Sequence, residues 1–349
     1  MDFHRIVRED IETVLSAELP WGNFANTTVL ISGAAGYLPA YMVETLLHLN
    51  DSDPARACKV VALVRNPARA RERFSHCLDR VDFEIFEQDV CNRINWKGEA
   101  DFIIHAASQA SPKYYGTDPV GTIAANTLGT HHLLALARDR GAIGFLYFSS
   151  SEVYGENYRA TALSEDAAGS VDPTQVRSCY AEGKRAGETF CVSYAHQHDV
   201  PCRIVRPFHT YGPGMRLDDG RVFADFVANV VRNENIVLKS DGSARRAFCY
   251  LSDAVGGFFH VLLKGETAEA YNVANPGGGM SIRELAELLV SLYSEKKLKV
   301  EIDQLSKPAG YIASSVSRCL PDITKISNLG WMPVVSVSDG FRRTVQSYL

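Results

Sequence analysis

Thr28-Val-Leu-Ile-Ser-Gly33-Ala-Ala-Gly36-Tyr-Leu-Pro39 runs straight into Ala40-Tyr-Met-Val-Glu-Thr-Leu-Leu-His-Leu49. A short apolar run, a glycine turn and a helical pattern follow one another without a gap. That order is a buried strand feeding a helix through a tight turn. Glycines at 33 and 36 let backbone N–H groups approach a pyrophosphate, and the helix N-terminus adds a favourable dipole. A third glycine is usual in such turns; Pro39 stands in its place, which a first helical turn tolerates. The turn predicts a dinucleotide site that includes Gly33, Gly36, Tyr37 and Leu38.

Further short apolar runs follow at 59–64, 83–86, 101–106, 144–150 and 201–208, with helical patterns between them. Continuous apolar strands alternating with helices imply a parallel sheet covered on both faces. The expected fold is therefore α/β: a Rossmann-type doubly wound parallel sheet with a smaller C-terminal substrate-binding lobe. The expected division is an N-terminal helical extension (1–27), a dinucleotide-binding domain (28–205) and a mainly substrate-binding lobe (206–349). That lobe is interleaved with the first sheet, because a strand pattern recurs at 271–276.

The chain has 349 residues, 46% hydrophobic and 22% charged, with a net charge of −5. That suits a globular protein with a large core, and gives no basic field for nucleic acid or an anionic membrane. The first 21 residues mix both charge signs and lack an apolar core, so they read as an amphipathic helix ending before Pro20 rather than a leader. Eight cysteines, at 58, 77, 91, 179, 191, 202, 249 and 319, include no Cys-x-x-Cys. Reduced thiols in a cytoplasmic protein are expected, and no metal site. His196 and His198 lie two apart on a helix and share no face.

Tyr180 and Lys184 are i and i+4 in Ser178-Cys-Tyr-Ala-Glu-Gly-Lys184, and so share a helical face. An ammonium beside a phenol favours the phenolate, which can take a proton from a hydroxyl as hydride leaves its carbon. A triple serine, Ser149-Ser150-Ser151, followed by Glu152-Val-Tyr-Gly155, ends the strand run at 144–150. A serine hydroxyl near the same oxygen can hold or relay the proton. The second strand ends Val64-Arg65-Asn66-Pro67. Arg65 occupies the place where an acid usually binds ribose hydroxyls, with Asn66 beside it. A cation there favours the extra phosphate of NADP, with NAD as the alternative. Asp89-Val90, after the third strand, is placed to meet the adenine edge.

With Gly33-Ala-Ala-Gly36, His105-Ala-Ala-Ser108, Asn126-Thr-Leu-Gly-Thr130, Ser149-Ser-Ser-Glu-Val-Tyr-Gly155, Tyr180-Ala-Glu-Gly-Lys184, Arg206-Pro-Phe-His-Thr-Tyr-Gly-Pro213 and Arg246-Ala-Phe-Cys-Tyr-Leu-Ser-Asp253 in place, the chain resembles the extended short-chain dehydrogenase/reductases. More narrowly it resembles their nucleotide-sugar epimerase/dehydratase family, from Thr28 to the end, and within it the UDP-glucuronate decarboxylase branch. The resemblance implies Ser150, Tyr180 and Lys184 as the catalytic triad and Glu152 as an acid beside the substrate. It adds Ala106, Ala107 and Ser108 to the cofactor contacts, and assigns Arg221, Arg246 and Arg318 to the nucleotide diphosphate, with His209 at the sugar. It also implies a nucleotide-sugar substrate and a homodimer.

Two positions depart from the family's Asn-Thr-Tyr-Gly-Pro-Arg-Met: the amide is His209 and the arginine is Gly214. Loss of a cation near the sugar disfavours a substrate carboxylate. The expected activity is therefore reduction at C4 of an NDP-4-keto-6-deoxyhexose, in surface-polysaccharide (lipopolysaccharide) precursor synthesis. The alternatives are UDP-glucuronate decarboxylation, 4-epimerisation or 4,6-dehydration with recycled NAD, and, in another class, a non-catalytic nucleotide sensor. If a carboxylate does bind, Lys113 or His209 is the expected seat.

Overall fold

The computed structural model describes residues 2–156, 162–303 and 318–349, without the side chains of residues 2–4, 318 and 319. The chain opens with α1 (Asp2–Leu15), β1 (Thr28–Ser32), α2 (Tyr37–Ser52), β2 (Lys59–Val64), α3 (Pro67–Arg73) and β3 (Phe83–Glu87). β4 (Phe102–His105) leads through α4 (Pro112–Thr117) and α5 (Pro119–Arg140) to β5 (Gly144–Phe148). From there α6 (Ser178–His198) returns the chain to β6 (Cys202–Pro207). Then come β7 (His209–Tyr211), α7 (Val222–Arg232), β8 (Ile236–Leu238), β9 (Arg245–Tyr250), α8 (Leu251–Lys264) and β10 (Ala270–Val273). The last elements are β11 (Gly279–Ser281), α9 (Ile282–Leu292), β12 (Val300–Ile302), β13 (Arg318–Cys319), α10 (Thr324–Ser327) and α11 (Val337–Gln346).

Seven parallel strands form the main sheet in the order β10-β6-β5-β4-β1-β2-β3. Successive residues of one strand enter different cores. Val29 and Ile31 join one apolar cluster, with α2 and α8; Leu30 joins another, with α5 and α6. That is the period-2 rule acting on a sheet buried on both faces. The strand order reverses at β1, between β2 and β4. A crevice beyond the carboxyl ends of these strands is where such sheets bind ligands.

A second, smaller sheet joins β11, β9 and β13, with β7 paired to β9. Its core includes Tyr211, Phe248, Phe341 and the inner faces of α7 and α9. The pairing His209↔Phe248 carries the chain from the main sheet into this lobe. β7 and β9 escape a reading of periodicity. β7 is three residues long and follows a proline, and β9 carries two arginines at its start. α2 begins at Tyr37, three residues ahead of its apolar pattern, since Pro39 fits a first turn.

The N-terminal segment is part of the core. Trp21 and Phe24 are buried, and Phe24 packs on Phe102 at 4.9 Å between centroids. Asp10 of α1 accepts hydrogen bonds from Tyr250 (2.9 Å) and Arg343 (2.8 Å), tying α1 to β9 and α11. Among the described residues, seven cysteines are free thiols, and no helix is long and apolar enough to cross a membrane.

Candidate active site

The glycine turn forms the floor of the crevice. Gly33 has φ +66°, and a Cβ there would lie 2.7 Å from the Ala107 backbone. Only glycine permits both the left-handed backbone and this approach of the β1 and β4 ends. Ser32 clamps the two strands, its hydroxyl bonding the His105 ring (2.8 Å) and accepting from the Ala107 N–H (3.2 Å). Burial and the Lys184 charge bring His105 down to about 3, so it is a neutral structural group. Ala106 and Ala107 border the crevice, and the buried Ser108 Oγ has no partner among the described residues. An open cradle with an unpartnered hydroxyl fits a dinucleotide bound over Gly33 and Gly36. Tyr37 and Leu38 begin α2. Tyr37 packs against both lobes and its buried hydroxyl is also unpartnered.

At the adenosine end Arg65 is exposed and its guanidinium lies 4.0 Å from Asp89. Asn66 caps α3 by accepting the Arg69 N–H (3.1 Å), so its side chain is committed to the fold. Asp89 accepts the Cys91 N–H (2.9 Å), and Val90 is buried against Gly129.

Ser150, Tyr180 and Lys184, the expected triad, lie where β5 and α6 meet. Ser150 follows β5, and its oxygen accepts the Glu152 N–H (3.2 Å), which turns the chain. The Ser150 hydroxyl lies beside the Tyr180 phenol and favours its ionised form. Tyr180 and Lys184 are both buried, with the Lys184 Nζ 5.7 Å from the Tyr180 ring centroid. Burial raises the Tyr180 phenol, the Ser150 bond and the Arg221 charge oppose that, and Glu152 adds to it. Lys184 donates to the Phe148 carbonyl, and burial brings it down to about 7. Burial thus opposes charge on both members of the pair. The phenolate needs a positive charge brought by a ligand.

Two residues not foreseen from the sequence complete the catalytic corner. Tyr115, from α4, stacks on Tyr180 at 5.1 Å and 19°. Arg177, directly before α6, forks onto Glu152 with bonds of 3.0 and 3.2 Å and lies 5.8 Å over the Tyr115 ring. Glu152 is therefore half of an ion pair. Arg177 lies three residues before Tyr180, a helical-neighbour spacing that could have exposed it. For Tyr115 there was no local signal.

The opposite wall comes from the small lobe. Arg221, ahead of α7, donates to the Ala110 carbonyl (3.1 Å) and pairs with Asp219 (3.1 Å). Arg246 is the second residue of β9, and the His209 ring packs edge-on against Phe223 and Phe248. Burial, then the charges of Arg246 and Arg221, bring His209 down to about 3. Both arginines therefore lie near the imidazole, whose Nδ1 has no partner among the described residues. Arg318 lies in β13, beside β9, with its side chain outside the described residues. Gly214 has φ +77° in the loop after β7. Lys113 is half-exposed and 3.9 Å from Asp218.

Residues 29–274 match the NAD dependent epimerase/dehydratase family. The chain is 35% identical over 317 residues to UDP-glucuronic acid decarboxylase 5 of Arabidopsis thaliana, covering 90% of this chain and 87% of that one. The chain belongs to this family. It is an NAD-dependent enzyme of the extended short-chain dehydrogenase/reductase type. A second member, UDP-glucuronic acid decarboxylase 1 of Danio rerio, is 34% identical over 322 residues, 92% of this chain and 72% of that one. Two solved structures share the fold. UDP-glucose 4-epimerase of Thermotoga maritima has TM-score 0.78 and 22% identity, over 92% of this chain and 98% of that one. UDP-glucuronic acid 4-epimerase of Bacillus cereus, in complex with UDP-glucuronic acid and NAD, has TM-score 0.76 and 23% identity, over 92% and 99%.

Proposed function

We propose that this enzyme oxidises C4 of UDP-glucuronate, releases CO2 and returns the hydride to give a UDP-pentose. The observation that carries the reading is the 35% identity to a UDP-glucuronic acid decarboxylase over 90% of the chain. It favours this alternative over the net reduction inferred from His209, Gly214 and Arg65. Bound NAD would supply a reversible hydride acceptor, with Gly33 and Gly36 holding its pyrophosphate. NAD is preferred to NADP here because Arg65 is already turned toward Asp89.

Tyr180 accepts the C4 hydroxyl proton, with Ser150 holding that oxygen. Lys184 and the charge of the bound nicotinamide favour the phenolate in that step. Oxidation places a carbonyl β to the C5 carboxylate. The C5–C6 bond then breaks, its electron pair passes into an enolate, and C6 leaves as CO2. The enolate takes a proton at C5 that comes from solvent, and Glu152, beside Tyr180, is placed to relay it. Arg221 and Arg246 hold the diphosphate, Arg318 belongs to the same set by its place on β13, and His209 meets the sugar. A homodimer through the outer faces of α5 and α6 is part of this reading, since Leu128 and Val192 are exposed there.

The test is incubation of UDP-glucuronate with catalytic NAD, following CO2 and UDP-pentose. A parallel reaction of an NDP-4-keto-6-deoxyhexose follows NADPH. CO2 release without net cofactor consumption is expected. NADPH oxidation with the keto sugar and no CO2 from the uronate would overturn the proposal in favour of a reductase.

A further inference from the structure

A uronate needs a cation close to its reacting carbon, and the position where the family carries one is glycine in this chain. Gly214 has no side chain, and its φ of +77° disfavours any other residue. Arg216, two residues on, is half-exposed and forked onto Asp218 (2.9 and 2.7 Å). Lys113 leans on the same aspartate. Arg221 is held by Asp219 and the Ala110 carbonyl. His209 is an imidazole between two arginine charges and carries none of its own.

Arg177 is different. It already grips a carboxylate, that of Glu152, through both terminal nitrogens. It is mostly buried, with 20% of its side chain exposed. Its guanidinium and the Tyr180 ring both pack on Tyr115, so the cation stands one ring away from the reacting phenol. The proposed pose sets the C4 hydroxyl at Tyr180 and turns C5 toward Tyr115, which brings the carboxylate to this corner. A planar guanidinium offers five N–H groups and binds carboxylates as a fork.

We infer that Arg177 is the substrate-carboxylate seat of this enzyme, shared with or surrendered by Glu152 when a uronate binds. The inference rests on the proposed UDP-glucuronate substrate and assigns to Arg177 the specificity for a negative charge at C5.

The experiment measures dissociation constants of UDP-glucuronate and UDP-glucose by calorimetry on the NAD-loaded enzyme, every protein below carrying Tyr180→Phe so that the ligand is not consumed. The two ligands share a nucleotide and differ at C6. Wild type, Arg177→Met and Arg177→Lys are compared. The double variant Glu152→Gln/Arg177→Met is included because it leaves no unpaired carboxylate if the single variant folds poorly. The wild type is expected to prefer UDP-glucuronate at least tenfold. Both Met variants are expected to lose that preference while binding UDP-glucose within threefold of wild type, and Arg177→Lys to keep part of it. A wild-type preference that survives in the folded Met variants overturns the role of Arg177 and leaves the uronate substrate standing. So does an equal loss for both sugars, which would make Arg177 only a support for Glu152. A wild type with no preference overturns the uronate substrate and this inference with it.

Discussion

Replacing Lys184 with methionine should make the cofactor-free protein more stable while destroying its activity. Lys184 is 2% exposed, and burial is the largest cause that brings its ammonium from 10.5 to about 7. At 1.36 kcal/mol per pH unit, that drop corresponds to about 5 kcal/mol of cost for carrying the charge below pH 7. Glu188 is the main opposing charge. Methionine fills the space without the charge, but strips the Phe148 carbonyl of its donor, a loss of about 1–3 kcal/mol. The net expectation is about 2–4 kcal/mol of stabilisation at pH 7.

The sign with pH follows from the lowered value. Between about 7 and 10.5 the unfolded chain holds a proton that the native site does not, so wild-type stability rises with pH in that window. From pH 7 to 8.5 the rise from this site is about 2 kcal/mol, and the variant lacks it. Urea unfolding of both proteins at pH 7 and 8.5, with activity measured alongside, tests this. A variant less stable than wild type at pH 7, or the same pH slope in both, would refute the reasoning. A buried cation that lowers stability is what a functional site shows when activity sets the residue.

Tyr180→Phe keeps the stack on Tyr115 and removes the proton acceptor. Single-turnover hydride transfer should fall about 10²- to 10⁴-fold with the cofactor still bound, and a loss under tenfold removes Tyr180 from that role. Arg65→Asp should shift cofactor choice further from NADP in competitive titration. If the wild type prefers NADP tenfold or more, about 1.4 kcal/mol, the NAD reading is wrong. Phe24→Ala should cost about 3–5 kcal/mol in urea unfolding, since its buried ring meets Phe102 and Phe259. A change under 1 kcal/mol would mean that residues 1–27 are an appendage rather than core.

Local order determined a good deal of this protein. Thr28–Pro39 specified strand, turn and helix because backbone sterics at Gly33 and apolar burial of β1 act within a dozen residues. Tyr180 and Lys184 declared a shared face through helical spacing alone. The motif resemblance implied one site for Ser150, Glu152, His209, Arg221 and Arg246; in the fold Ser150 and Glu152 lie beside Tyr180, and His209 lies near Arg221 and Arg246. Tertiary structure decided the rest. That Glu152 is half of an ion pair depends on the chain after β5 meeting the start of α6. That Tyr115 backs Tyr180 depends on α4 crossing the crevice. The neutrality of His209 and the lowered Lys184 arise from burial and from charges contributed by other elements. Solvation and charge at a site are sums over neighbours in space, and no window of sequence contains those neighbours.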